Sequence, residues 1–340
     1  MRLGVNLGDA RHLTADHWLY FARLAEGLGY SSFWVGEPPG GWDAFALLGM
    51  IAKATDRIRL GTGIVNIYAR SPLAVAQAAA TVDRISGGRM LLGLGVTSAN
   101  AAENAYGGTW ASPNRRLREY IEVLRLALEG CRVDYDGRFY RLKRFRLAVL
   151  PEQSRLPIYV AAMAPRNVSL AGELADGWLP VFLTPEAMAQ QLDWLREGAA
   201  RAGRSLEQLS ISPLVKTWVA EGDHLEFARM RAKKEMAHYV GSAVGGMGAF
   251  YHDLVAKFYG FANEAARIRA AFEADPSSAY EQVHDAIVDT LYTFGNLESC
   301  IERLRGYSQA GATEPILIFV VDMSPEQMEL TLRKVAEALL

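Results

Sequence analysis

Cysteine is scarce: Cys131 and Cys300 are the only two in 340 residues, and they form no CxxC pair. A disulfide framework and a thiolate metal centre are both excluded as organising devices, and two reduced thiols in a cytoplasmic protein are expected. The six histidines (His12, His17, His224, His238, His252 and His284) show no HExxH or paired-ligand spacing, so no metal site is expected. Charge of one sign is lacking too. A net charge of −2 offers no electrostatic attraction for nucleic acid or an anionic membrane. No apolar run approaches the roughly 18 residues needed to span a bilayer. The opening MRLGVNLG has no basic segment followed by an apolar one, so no signal peptide is expected. There is no GxSxG for a nucleophilic serine, and GTGIVN and GLGVTS both lack the third glycine of a dinucleotide-binding turn.

What is present is alternation. Half of the residues are hydrophobic, ample for a core. They fall into strand-length runs separated by helical periodicity. RLGVNL, SSFWVG, RIRLGTGI, RMLLGLGV, LPIYVAA, DGWLPV, SISPLVKTWVA and EPILIFVV read as eight strands. Helix signals lie between them. Thr14 precedes a stripe of Trp18, Phe21, Leu24, Ala25 and Leu28. Ser71-Pro72 starts a helix that should bury Val75, Ala79, Val82 and Ile85, and SPEQ opens the last helix. Eight such units over more than 250 residues predict a (β/α)8 barrel, residues 1–340 forming one domain; the rival is a doubly wound sheet with an appended domain. VDYDGRFYRLKRF, 133–145, reads as a hairpin turned at Asp136-Gly137. Residues 224–293 read as a mostly helical insertion, expected over the C-terminal rim, where barrel sites sit.

Three strand ends carry small residues where a ligand could approach the backbone: Gly61-Thr62-Gly63-Ile64, then LGLGVTSAN at 92–100, then IYVAAMAPRN at 158–167. The third runs into a helix at Pro165, whose exposed N–H groups suit a phosphate, with Arg166 adding charge. Plain barrel packing accounts for any one of them; three on one rim favour a site. Glu37, in WVGEPPGGW, is the best-placed carboxylate, against the alternative of a solvated loop charge. HYVGSAVGGMG, 238–248, is either a ligand-approaching loop or an interhelical turn.

GTGIVNIYARSP, TVDRISGGRMLLGLGV and PIYVAAMAPRNVSLAGELADGWLP together resemble the bacterial luciferase-like family, and within it the oxidoreductases that use the deazaflavin coenzyme F420. The resemblance covers residues 1–200 and the segment from 292 onward. It implies a non-prolyl cis peptide at Gly63–Ile64 backing the tricyclic ring, with Asn66, Val96 and Thr97 near the cofactor. It also implies a phosphate held by Met163, Ala164, Arg166 and Asn167. Glu37 falls on an acidic cofactor-contacting position and Ser98 where some relatives carry a glutamate acid, so these two are the candidate catalytic positions. Pro38 stands where several relatives have histidine. Neither proline nor serine is a competent proton carrier, so the relatives' acid–base chemistry does not transfer. The implied activity is hydride exchange between coenzyme F420 and a small organic substrate. An FMN-dependent monooxygenase and a non-catalytic flavin-binding protein are the alternatives. A homo-oligomer, a dimer, is expected.

Overall fold

The computed structural model describes residues 1–242 and 247–340. Its first half alternates β1 (Gly4–Asn6), α1 (Ala15–Gly27), β2 (Ser32–Val35), α2 (Ala44–Ala54), β3 (Arg59–Thr62), β4 (Val65–Asn66), α3 (Pro72–Ser86), β5 (Met90–Gly95) and α4 (Pro113–Leu128). The hairpin β6 (Val133–Asp136) and β7 (Arg141–Phe145) follows, then β8 (Ile158–Val160), α5 (Pro165–Leu174), β9 (Gly177–Trp178) and α6 (Pro185–Arg201). The remainder is β10 (Ser210–Ile211), β11 (Leu214–Val219), α7 (Asp223–Gly241), α8 (Met247–Asp253), α9 (Ala262–Ala274), α10 (Asp285–Leu291), β12 (Thr293–Gly295), α11 (Leu297–Gln309), β13 (Ile316–Ile318) and α12 (Pro325–Leu339).

Parallel pairing runs in the order β10-β9-β8-β5-β3-β2-β1-β13-β11-β12, with β4 also on β5. The sheet curls. β10 and β11 are successive pieces of one stretch; the first pairs with β9, the second with β13, and Val181 bridges Leu214. This is an α/β fold with a curled parallel sheet of the TIM-barrel kind. Trp34, Leu91, Tyr159, Leu179 and Ile316 fill its concave side as a cluster of their own, while the larger core lies between sheet and helices. Large rings fit inside because glycine faces them: a Cβ on Gly61 would lie 2.2 Å from the Trp34 ring.

Helix starts follow the caps. Thr14, Ser71 and Ser324 each accept an N–H from the first turn, and Pro72 and Pro325 sit where a missing N–H costs nothing. Four expectations change. Ile85 is exposed, and Ser86 takes its place in the buried stripe of α3. At 100° per residue, position 86 returns to the face of Val75 whereas position 85 does not. The expected seventh strand is split at Ser212-Pro213, since proline has no N–H for a ladder. RIRLGTGI is likewise split, into β3 and β4. The short strand β12 was not foreseen; it pairs with the far end of β11.

Between β11 and β12 the chain is chiefly helical, and its contacts are specific. Tyr259 donates to the Phe182 carbonyl at 2.9 Å and accepts from the Thr184 N–H at 3.1 Å. Phe182 packs edge-on against Tyr239 and Tyr251. Lys216 of β11 and Glu235 of α7, both about 5% exposed, pair at 2.6 Å, and Tyr292 donates to the same carboxylate at 2.9 Å. Burial, followed by the Glu235 charge, pushes the Tyr251 phenol up to about 12 and those of Tyr239 and Tyr292 well above their usual value, so all three stay protonated.

Candidate functional site

The third strand carries one residue too many for its neighbour. Gly61 pairs with Leu91 and Val65 with Leu94, so four steps on one strand face three on the other. The excess is taken up around the peptide bond between Gly63 and Ile64, which is cis. Local hydrogen bonds replace the lost ladder. The Thr62 hydroxyl donates to the Gly93 carbonyl and accepts its N–H, both at 2.8 Å. The Gly63 N–H bonds the Val35 carbonyl at 2.7 Å, and the Ile64 carbonyl accepts the Glu37 N–H at 3.2 Å. Asn6, buried at the end of β1, reaches the Gly63 carbonyl at 3.4 Å while its Oδ1 accepts the Gly8 N–H. Asn6 is a site residue that sequence reasoning passed over. Its signal was a lone amide in the otherwise apolar LGVNL, residues 3–7.

The three small-residue strand ends are neighbours. Asn66 pairs with Gly95, which brings Val96 and buried Thr97 just beyond it, and the Ala161 N–H bonds the Leu94 carbonyl. A Cβ on Gly95 would lie 2.7 Å from the Ile64 side chain and 3.6 Å from that of Ala161. Ile64, Gly95 and Ala161 therefore form one apolar patch in which the Ile64 side chain lies over a position that only glycine can occupy. Asn66 itself turns back, its Oδ1 accepting the Tyr68 N–H at 2.9 Å.

Beyond β8, Asn167 accepts the N–H groups of both Met163 (3.2 Å) and Ala164 (2.8 Å) on one side-chain oxygen. Met163, Ala164 and Asn167 are thus brought together, but those two N–H groups already have a partner. Arg166 stands exposed on the first turn of α5 and takes part in no ion pair among the described residues. Ser98 stands just before a single π-helical turn, Ala101–Ala105, and its hydroxyl oxygen accepts the Ala101 N–H at 3.1 Å. The Gly-rich segment 238–248 lies partly outside the described residues.

Glu37 is not a solvated charge. Its side chain is 12% exposed and held by two nitrogens of Arg70, at 2.6 and 3.2 Å, and Arg70 also pairs with Asp43. Arg70 was not foreseen, because its partners lie 27 and 33 residues away. Burial first, and then the nearby Glu37 carboxylate, push the Tyr106 phenol up, so that hydroxyl keeps its proton. Next to them Tyr68 stacks on Trp110, and the Arg116 guanidinium lies between the rings of Tyr68 and Phe139. Among the described residues no cluster of His, Cys, Asp or Glu suits a metal ion, and no helix is long and apolar enough to cross a membrane.

Residues 2–314 match the family model described as luciferase-like monooxygenase. A protein of Mycobacterium tuberculosis, provisionally named a coenzyme F420-dependent oxidoreductase, is 31% identical, over 96% of this chain and 97% of its own. The 5,10-methylenetetrahydromethanopterin reductase of Archaeoglobus fulgidus is 29% identical, over 87% of each chain. The coenzyme F420-dependent tetrahydromethanopterin reductase of Methanopyrus kandleri superposes with a TM-score of 0.84 at 24% identity, over 99% of this chain and 97% of its own. At that identity the superposition speaks for the fold alone. The family match spans nearly the whole sequence: the chain belongs to the luciferase-like monooxygenase family and is an enzyme of that kind.

Proposed function

We propose that this enzyme is an oxidoreductase that uses the deazaflavin coenzyme F420 to oxidise or reduce a small organic substrate. The observation that carries the reading is the single apolar patch formed by Ile64, Gly95 and Ala161 at three adjacent strand ends, with a helix start directly beyond it. The names of the relatives point to the same cofactor. We further read the curled sheet as a closed eight-stranded barrel of one domain. The helices between Asp223 and Leu291 would cover its C-terminal mouth, a placement favoured by their contacts to Phe182, Thr184 and Lys216.

The residues present suit the coenzyme. Ile64 and the small residues opposite it would back the ring, Asn66, Val96 and Thr97 would border it, and Arg166 would meet the phosphate. When bound, the deazaflavin supplies a ring carbon that accepts or gives a hydride. The chain's own part is to orient that ring, exclude water and hold protons in place. Since Met163 and Ala164 give their N–H groups to Asn167, phosphate binding would require Asn167 to swing aside, or would rest on Arg166 and the remaining first turn of α5. Glu37, locked by Arg70, is suited to ordering the rim rather than to carrying a proton. Ser98 is a weak candidate for an acid, because a serine hydroxyl gives up its proton poorly.

The test is a fluorescence titration of the purified apo-protein. Coenzyme F420 should bind at least about tenfold more tightly than FMN, or about 1.4 kcal/mol. Equal or tighter FMN binding would reassign the enzyme to FMN-dependent monooxygenase chemistry.

A further inference from the structure

A groove of about 700 Å³ runs along the outside of the sheet, walled by α4, α5, the end of α6 and the β6–β7 hairpin. Four arginines line it: Arg115, Arg118, Arg166 and Arg201. Its carboxylates already have partners. Glu119 accepts the N–H groups of Arg138 and Phe139 and pairs with Arg115. Glu173 is held by both terminal nitrogens of Arg118, at 2.7 and 2.8 Å; that contact, with the charge of Arg201, outweighs burial and leaves its carboxyl below the usual range. Glu122 accepts the Tyr135 hydroxyl at 2.6 Å, and Asp136 pairs with Arg141. Among the described residues Arg166 and Arg201 have no carboxylate within ion-pair distance, though Arg201 bonds the Ser169 hydroxyl. The groove is therefore lined by acids that each have a polar partner, that of Glu122 being a neutral hydroxyl with Arg118 at 3.9 Å, and by two guanidinium groups without a carboxylate. Arg166 stands at its rim end, on the first turn of α5, and from there to Glu173 the helix runs about 10 Å.

We propose that this groove binds the oligoglutamyl tail of the coenzyme. The inference rests on the deazaflavin reading above and extends it from the ring to the far end of the molecule. Arg166 would meet the phosphate or the first carboxylate, and Arg201 a later one. The guanidinium fork suits carboxylates, whose contacts at this exposed wall would be weak singly and additive along the tail. A span of about 10 Å accommodates roughly three extended residues. The groove thus reads a feature that FMN, which ends at its phosphate, does not possess.

Three probes separate the contributions: the deazaflavin ring with its ribityl chain alone, the same molecule extended to the phospholactyl group, and the full oligoglutamyl coenzyme. Fluorescence titration should show the glutamyl tail tightening binding by three- to tenfold over the phospholactyl form. That gain should vanish in about 0.5 M salt, where the screening length falls to a few ångströms. Arg201→Gln should remove most of the gain while leaving affinity for the ribityl form unchanged. Arg166→Gln should weaken both phosphorylated forms. Thermal unfolding of each variant confirms that it is folded. Equal affinity of the phospholactyl and oligoglutamyl forms, or a gain untouched by Arg201→Gln, overturns the groove while the ring reading stands. Binding of FMN with none of the three deazaflavins overturns both.

Discussion

At the residue scale the rim is organised by charge pairs rather than by isolated catalytic groups. Glu37 shows this best. The carboxylate was legible in WVGEPPGGW as the best-placed acid at a strand end, but its engagement was not, because Arg70, which also pairs with Asp43, meets it only through the fold. Asn6 was hidden for the same reason, since Gly63 lies 57 residues away. With Glu37 fixed by Arg70, Glu37→Gln should loosen Arg70 and relax the rim. Arg70 keeps Asp43 as a partner, so the stability cost should be small, about 1 kcal/mol, as for other partly exposed pairs. Coenzyme affinity or turnover should fall several-fold. Titration of the variant beside its urea unfolding curve checks this; wild-type binding would reduce Glu37 to a structural ion pair.

At the element scale the alternation of strands and helices was largely readable, because period and caps are local properties. The failures occur where tertiary contacts decide. Pro213 interrupts a run that looks continuous by hydrophobicity, and β12 forms only because the end of β11 offers it an edge. One junction shows how elements are tied. Asp176, at the start of β9, accepts the Ile158 N–H of β8 at 2.8 Å and pairs with Arg125 of α4 and with Arg155. Burial alone would push its carboxyl up. Arg125, that N–H and Arg155 outweigh it and hold Asp176 below the usual carboxylate range. A carboxylate whose folded pKa is depressed contributes stability above its unfolded value, about 3.9, and loses it as pH falls through the folded value. Urea unfolding free energy should therefore decline below about pH 4. Asp176→Asn should cost about 2 kcal/mol at neutral pH, since it leaves the 15%-exposed Arg125 side chain unmatched, and should make the acid decline shallower. An unchanged acid profile in that variant would remove Asp176 from the account.

At the scale of the whole molecule, strand count and order point to a barrel-like sheet, and its C-terminal ends gather the candidate residues as neighbours: Gly63 to Asn66, Val96 and Thr97, and Met163 to Asn167. That much followed from eight periodic segments and three small-residue strand ends. The groove between α4 and α5 did not, because its arginines come from three helices whose spacing no local pattern encodes. The account's central claim is that a deazaflavin ring lies on the face made by Ile64, Gly95 and Ala161. The most direct measurement is a crystal structure of the enzyme with coenzyme F420. The account predicts the ring in contact with Ile64 and Gly95, and the phosphate beside the first turn of α5 near Arg166. A ring bound elsewhere, or a phosphate remote from Pro165–Asn167, would contradict it.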